Sequence, residues 1–190
     1  MDAIVEAALK KWPNVPHCYG WLALDARGDW YMRDDRIRAA GPFPQIKGSR
    51  IVHDKLQAFI GRNYAADERG CWFFQNGPQR VYVELEAAPW VWRLTDTTDT
   101  TDTATGCTLT SHTGRRAVAR SCWLDDFGRL FLDSDLGLGL VHSLDMETAA
   151  DAILRGEWTP QDLPFSALPA RFGYRLQPQG VEDGDRGMHP

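Results

Sequence analysis

Apolar residues recur along this chain with two periods, one helical and one extended. Val5, Ala8, Leu9 and Trp12 fall at i, i+3, i+4 and i+7. That spacing predicts a helix that Asp2 caps, Lys10 and Lys11 suit at the negative end, and Pro13 stops. A second helix is predicted after a Ser49 cap, with Val52, Leu56, Phe59 and Ile60 on one face, Arg50, Asp54 and Gln57 on the other, and Asn63 at its end. A third begins at Asp145, buries Met146, Ala149, Ala150 and Ile153, and ends at Gly156. Elsewhere the period is two. Val81, Val83 and Leu85 alternate with Tyr82, Glu84 and Glu86, and Trp90, Trp92 and Leu94 resume the pattern after Pro89. The ring-rich stretch that ends at Leu94 therefore reads as three antiparallel strands, and the stretch after Cys107 supplies more strand. The fold class expected is α+β: repeated short antiparallel β-hairpin and meander units with about three helices packed on them.

One motif recurs within that pattern. DARGDWYM from Asp25, DERGCWFF from Asp67 and DDFGRLFL from Asp125 share an Asp, a Gly three residues on, and then large apolar rings or Leu. An Asp side chain bonding backbone two residues ahead, with a Gly free to take positive φ, is what a tight hairpin with a type I turn and a bulge requires. Gly28, Gly70 and Gly128 are thus predicted turn residues, with Asp25, Asp67 and Asp125 as their partners. The competing reading is a metal site built from Asp125, Asp126, Asp133 and Asp135 with His142 behind them. A strand rising ~3.3 Å per residue carries Asp133 about 16 Å from the turn, too far for one ion to gather both ends. No metal and no cofactor are predicted.

The tract TDTTDTTDTATG, of low complexity and without an apolar anchor, divides the chain. The expected organisation is an N-terminal lobe at 1–94, a loop at 95–106, a C-terminal lobe at 107–176 and a frayed tail at 177–190. Eight Trp in 190 residues exceed ordinary usage, and most must be covered, since truncating a buried one costs about 3–5 kcal/mol. A net charge of -5 leaves no general attraction for polyanions, so nucleic acid is not an expected partner. Arg115, Arg116 and Arg120, near His112, read as a solvated face. The start MDAIVEAALKKW has an acid at position 2 and its basic pair after the apolar residues, the reverse of an export signal. No apolar run approaches the ~20 residues of a spanning helix. No membrane contact and a cytoplasmic location are expected. Cys18, Cys71, Cys107 and Cys122 form no CxxC and are expected as free thiols.

Two segments, WPNVPHCYGWLALDARGDWYMRD from Trp12 and NGPQRVYVELEAAPWVWRL from Asn76, resemble a small uncharacterised proteobacterial family, a domain of unknown function. The likeness brings no assigned activity. GDWYM from Gly28, KGSRIVHDKLQAFI from Lys47 and DERGCWFFQNGPQRVYVELEAAPW from Asp67 are also similar to a second uncharacterised bacterial family. That similarity implies repeated small β units with helices and a role in signalling. In that family the strand after the turn ends in an acid, Ala, Pro and Phe. Here Glu86, Ala87, Ala88, Pro89 and Trp90 stand in its place, with an extra Ala and a Trp for the Phe. Neither family supplies catalytic residues.

Reactive pairs are scarce. His17 and Cys18, like Ser111 and His112, are strand neighbours that point to opposite faces. There is no GxSxG elbow, and His53 reads as a surface residue close to Arg50. Gly137 and Gly139 in DLGLGLV lack the third glycine and the helix of a dinucleotide loop. Glu84 and Glu86 read as one solvated strand face. The expected function is a non-enzymatic binding or regulatory module that recognises a small molecule or a protein partner. Arg80, Tyr82, Trp90 and Trp92 are its candidate surface, because aromatic and Arg anchors dominate binding energy. Core packing is the competing reading of those rings. The alternative function is an enzyme using His53 or His142 with nearby carboxylates.

Overall fold

The computed structural model describes residues 1–96 and 106–179. In chain order they form α1 (Ala3–Lys11), β1 (Cys18–Leu24), β2 (Trp30–Met32), α2 (Asp35–Ala40), β3 (Ser49–Arg50), α3 (Asp54–Arg62), β4 (Tyr64–Ala66), β5 (Trp72–Asn76) and β6 (Gln79–Leu85). Then follow β7 (Trp90–Asp96), β8 (Cys107–Ser111), β9 (Arg116–Ala117), β10 (Ala119–Leu124), β11 (Leu130–Ser134), β12 (Gly137–Val141), α4 (Met146–Leu154), β13 (Pro160–Asp162) and α5 (Leu168–Phe172). The protein is mixed α/β and mostly strand. The first sheet has the order β3-β2-β1-β6-β5-β4 and the second β13-β10-β11-β12-β7-β8-β9. Read from its β9 edge, the second sheet repeats the order of the first with every number raised by six, and β13 is added at the end. Each sheet joins two antiparallel three-stranded runs through a parallel central pair, β1 with β6 and β7 with β12.

Those parallel pairs correct the expected meander. The strand beginning at Trp90 does not return beside β6; it crosses into the second sheet, where it lies between β12 and β8. Pro89 supplies no amide for a ladder, and the buried carbonyls of the crossing find partners elsewhere. Tyr64 donates its hydroxyl to the Pro89 carbonyl at 3.1 Å, and Tyr174 donates to Ala87 at 2.9 Å. Apolar residues of both sheets form one buried core, with Leu24, Val83 and Leu85 from the first and Trp92, Leu109, Phe131 and Leu140 from the second. The first sheet ends at Leu85 and the second starts at Trp90; most of the Thr and Asp tract (97–105) and the tail from 180 lie outside the described residues.

Two sequence features meet in the second sheet. Trp90 and Trp92 are 1% and 0% exposed. Their indole N–H groups reach over β12 to the carbonyls of Leu136 at 2.8 Å and Leu132 at 2.9 Å. The strand they cross is the one carrying Gly137 and Gly139. A Cβ at Gly139 would collide with the Trp92 indole and lie 2.8 Å from the Trp90 Cβ. The GLG sequence is therefore a bed for two indoles.

The three Asp turns have one geometry. Asp25 Oδ1 accepts from the amides of Arg27 and Asp29, Asp67 Oδ1 from Arg69 and Cys71, and Asp125 Oδ1 from Phe127 and Arg129, all at 2.8–3.0 Å. Gly28, Gly70 and Gly128 sit at φ +82°, +75° and +72°. A fourth copy, Ser111 to Gly114, was not expected. Ser111 Oγ accepts from the Arg115 amide at 3.1 Å, and Gly114 has φ +82°. The shared spacing in SHTG was its signal, hidden by Ser in the place of Asp.

The helices differ from the expectation of about three: five α-helices are present among the described residues. α2 buries no residue and so has no apolar period; it is held by Asp34, whose side chain accepts from the Ile37 amide. α5 has five residues, too few to show a period, and is fixed by buried Leu168 and a left-handed Gly173. Ser49 belongs to β3, and α3 starts later, behind His53. Val52 therefore lies outside the helix and is 74% exposed. In α4 the buried residues are Ala149 and Ala152, while Ala150 faces solvent. Glu84 and Glu86 are not a free solvated face: Glu84 pairs with buried Arg33, and Glu86 with Lys47 at 3.0 Å.

The turns differ in what surrounds them, which gives a graded prediction. Around Gly128 nothing lies within 4 Å of an added Cβ, whereas one at Gly70 would run into the Gly173 carbonyl. Gly128→Ala is expected to cost the left-handed strain alone, about 1–2 kcal/mol. Gly70→Ala should add overpacking of about 1–3 kcal/mol. Urea unfolding of the two variants measures the difference; equal losses would contradict the packing at Gly70.

Candidate functional site

The four residues singled out as a binding surface do not converge. Tyr82 faces away from the main core and is buried in a small separate cluster with Cys71 and Phe73. Its ring stacks on Tyr19 at 4.5 Å, and its hydroxyl donates to Asp67 Oδ2 at 3.0 Å. Arg80 lies over the Phe73 ring at 4.5 Å, and Arg69 covers Tyr82 at 5.9 Å. Trp90 and Trp92 belong to the core of the second sheet, so none of their surface is open to a partner.

A polar cleft of about 500 Å³ opens elsewhere, among segments distant in sequence. Its wall is made by Arg27 to Trp30 of the β1–β2 turn, Arg50 of β3, Asp54 and Gln57 of α3, Val91 and Arg93 of β7, the Ser111 turn, and His142 just after β12. Two of the Gly turns shape it. They approach so closely that a Cβ at Gly28 would lie 2.7 Å from the Cβ of His112. The Ser111 turn is tied to β7 by the His112 amide, which donates to Val91 O at 2.8 Å, and His142 is tied to β7 by its amide on Trp92 O at 2.9 Å. Two other grooves are more apolar: about 400 Å³ beside Trp21, Met32 and Phe59, and about 740 Å³ beside Phe127 and Phe165.

Three arginines line the polar cleft, and they are differently committed. Arg50 pairs with Asp29 at 2.7 Å. Arg93 grips Asp145 with Nε at 2.6 Å and Nη2 at 3.0 Å, while Asp145 also accepts from the Leu94 amide. The Arg27 guanidinium has no ion pair among the described residues, and neither does Asp54. His142 Nδ1 accepts from the Leu144 amide at 3.1 Å, which places the neutral ring's proton on Nε2. Burial lowers its pKa, and the charges of Arg93 and Arg27 lower it further against the pull of Asp145. His142 is thus a neutral donor near pH 7.

His112 behaves differently. Its Nδ1 accepts from the Val91 amide at 3.3 Å, and rings of Trp30, Tyr64 and Trp90 stand 5.4–6.0 Å away. The residue as a whole is half-buried, yet Nε2 is sealed from solvent and has no hydrogen-bond partner among the described residues. Burial pushes its pKa down to about 3. His53 is exposed at the N-cap of α3, with Nδ1 3.4 Å from the Leu56 amide. Among the described residues none of these three imidazoles bonds to a carboxylate, and no three His, Cys, Asp or Glu side chains are grouped to hold a metal ion. All four cysteines are free, Cys71 and Cys122 buried.

The structure thus defines a two-sheet mixed α/β protein with a donor-rich cleft shared by segments from both sheets. The chain belongs to the family described as protein of unknown function (DUF2946), whose model matches residues 1–179. No curated protein matches it. Among solved structures, it is similar to the crystal structure of a DUF1285 family protein from Shewanella baltica OS155, with 13% identity and a TM-score of 0.47, over 70% of this chain and 91% of that one. Among the described residues no helix is long and apolar enough to cross a membrane.

The state of His112 fixes the sign of a pH effect. Its folded pKa is depressed from the ordinary 6.5, so its contribution is fully present above 6.5 and is lost as the pH falls towards 3, because the unfolded chain takes up the proton first. Between pH 6.5 and 4.5 this is about 2–3 kcal/mol. The stability of His112→Asn, measured by urea unfolding across that range, should therefore fall with acidification less steeply than the parent's. Parallel curves would show that the imidazole is open to protons in the folded state.

Proposed function

We propose that this protein is a binding module whose ligand is a small molecule held in the polar cleft, with signalling as the role that the similarity to the second uncharacterised bacterial family implies. The observation that carries this reading is the convergence of Arg27, Arg93 and His142 on one cleft, brought there by the β1–β2 turn, β7 and the end of β12. A volume of about 500 Å³ suits a small metabolite. The chemistry favours binding over catalysis. A general base needs a lone pair directed at its substrate, and His142 has committed its unprotonated nitrogen to the Leu144 amide. His53, the other base considered, is at the N-cap of α3 and is not part of the cleft wall. The Arg80 and Tyr82 cluster fits better as cover for one face of the first sheet, since its rings and guanidinium groups are already stacked on one another.

Ala58 offers a test. It is an exposed residue of α3 on the cleft wall, where a large side chain adds bulk without disturbing the core. A panel of small metabolites is screened by thermal unfolding against the parent and Ala58→Trp. A ligand at 100 times its Kd should raise the parent's Tm by about 5–10 °C, and Ala58→Trp should lose that shift. Shifts preserved in full in the variant would place the binding elsewhere.

A further inference from the structure

We infer that the cleft recognises an oxyanion, a carboxylate or phosphoryl group, on its ligand, with Arg27 as the principal contact and Arg93 and His142 completing the set of donors. This rests on the cleft being the ligand site, and it adds the chemical class. The donors are unusual in kind. Arg27 brings a guanidinium with no carboxylate to neutralise it among the described residues, on a turn whose backbone Asp25 fixes through the Arg27 and Asp29 amides. Arg93 uses Nε and Nη2 on Asp145 and keeps Nη1 for another acceptor. His142 offers an Nε2–H, its tautomer set by the Leu144 amide. Planar guanidinium groups and a neutral imidazole donor suit an acceptor with two or three oxygens.

The carboxylates of the cleft wall, Asp29 and Asp54, and Asp145 behind Arg93 do not cancel this pattern. Asp29 is spent on Arg50, and Asp145, which is buried, on Arg93. Asp54 carries its charge at the first position of α3, where the helix end stabilises it. It faces the cleft without an ion pair among the described residues, so a ligand with an ammonium or hydroxyl group beside its oxyanion meets a complementary acceptor there.

The test is thermal unfolding of the full chain at constant ionic strength, with inorganic phosphate, methyl phosphate, acetate and succinate each compared with chloride. At least one of the four should raise the Tm above the chloride value. Protection by the phosphates alone identifies a phosphoryl ligand, and protection by acetate or succinate a carboxylate. Arg27→Gln, an exposed substitution that leaves the Asp25 turn intact, should weaken binding about tenfold or more, the scale of a hydrogen bond to a charged group. His142→Asn keeps an acceptor for the Leu144 amide while shortening the donor, and should weaken binding by a smaller factor. Undiminished affinity in Arg27→Gln, or no protection by any of the four anions, would overturn the oxyanion site. If uncharged or cationic compounds shift the parent and not Ala58→Trp, the cleft remains the ligand site and the oxyanion assignment alone fails. Oxyanion protection that survives Ala58→Trp would overturn both.

Discussion

The parallel seam between β7 and β12 is the contact on which most of this structure depends. Two indoles lie across a strand that has glycine where side chains would stand, and each donates to a carbonyl beyond it, at Leu136 and Leu132. An apolar side chain in place of either Trp would fill space without reaching those carbonyls, and a larger residue at Gly139 would leave no space to fill. The seam draws together the last strand of one antiparallel run and the first strand of another, far apart in sequence. It also shapes the cleft. β7 presents Arg93, and β12 hands the chain directly to His142, so the cleft inherits its geometry from the packing beneath it.

The turns do a second kind of work. Four of them use a short side-chain acceptor and a positive-φ Gly to reverse the backbone within a few residues, which leaves the flanking strands in register and the turn tip narrow. Narrow tips can approach one another. Where the Asp25 and Ser111 turns meet, Gly28 admits the His112 side chain at contact distance, and the gap left beside them is the cleft. His112 itself is held by aromatic rings and one backbone amide, in a state that resists protonation, so this part of the cleft wall stays neutral while the arginines supply its positive charge.

Much of this was legible in the sequence, and the limits have physical causes. The Asp-x-x-Gly spacing identified three turns because a side-chain acceptor and a residue without Cβ are local requirements that the chain must satisfy wherever it folds. The period-two runs identified β6 and β7 as strands, but strand pairing is set by distant partners. Nothing local distinguishes a strand that returns beside its neighbour from one that crosses to another sheet, and β7 crosses. Core packing of Trp90 and Trp92 was legible as one of two readings, but their seat was not, because the glycines that receive them lie more than forty positions away. The cleft was the least legible. Arg27 and His142 are unremarkable in isolation, and their juxtaposition follows from the sheet order.

Native-state hydrogen exchange of the backbone amides tests the claim about the seam most directly. The amides of Trp92, Leu140 and His142, at or beside the β7–β12 pairing, should exchange only through global unfolding, with protection equal to the free energy of unfolding measured by urea. Exchange at those amides through low-energy local openings, at rates like those of the short edge strands β3 and β9, would contradict it.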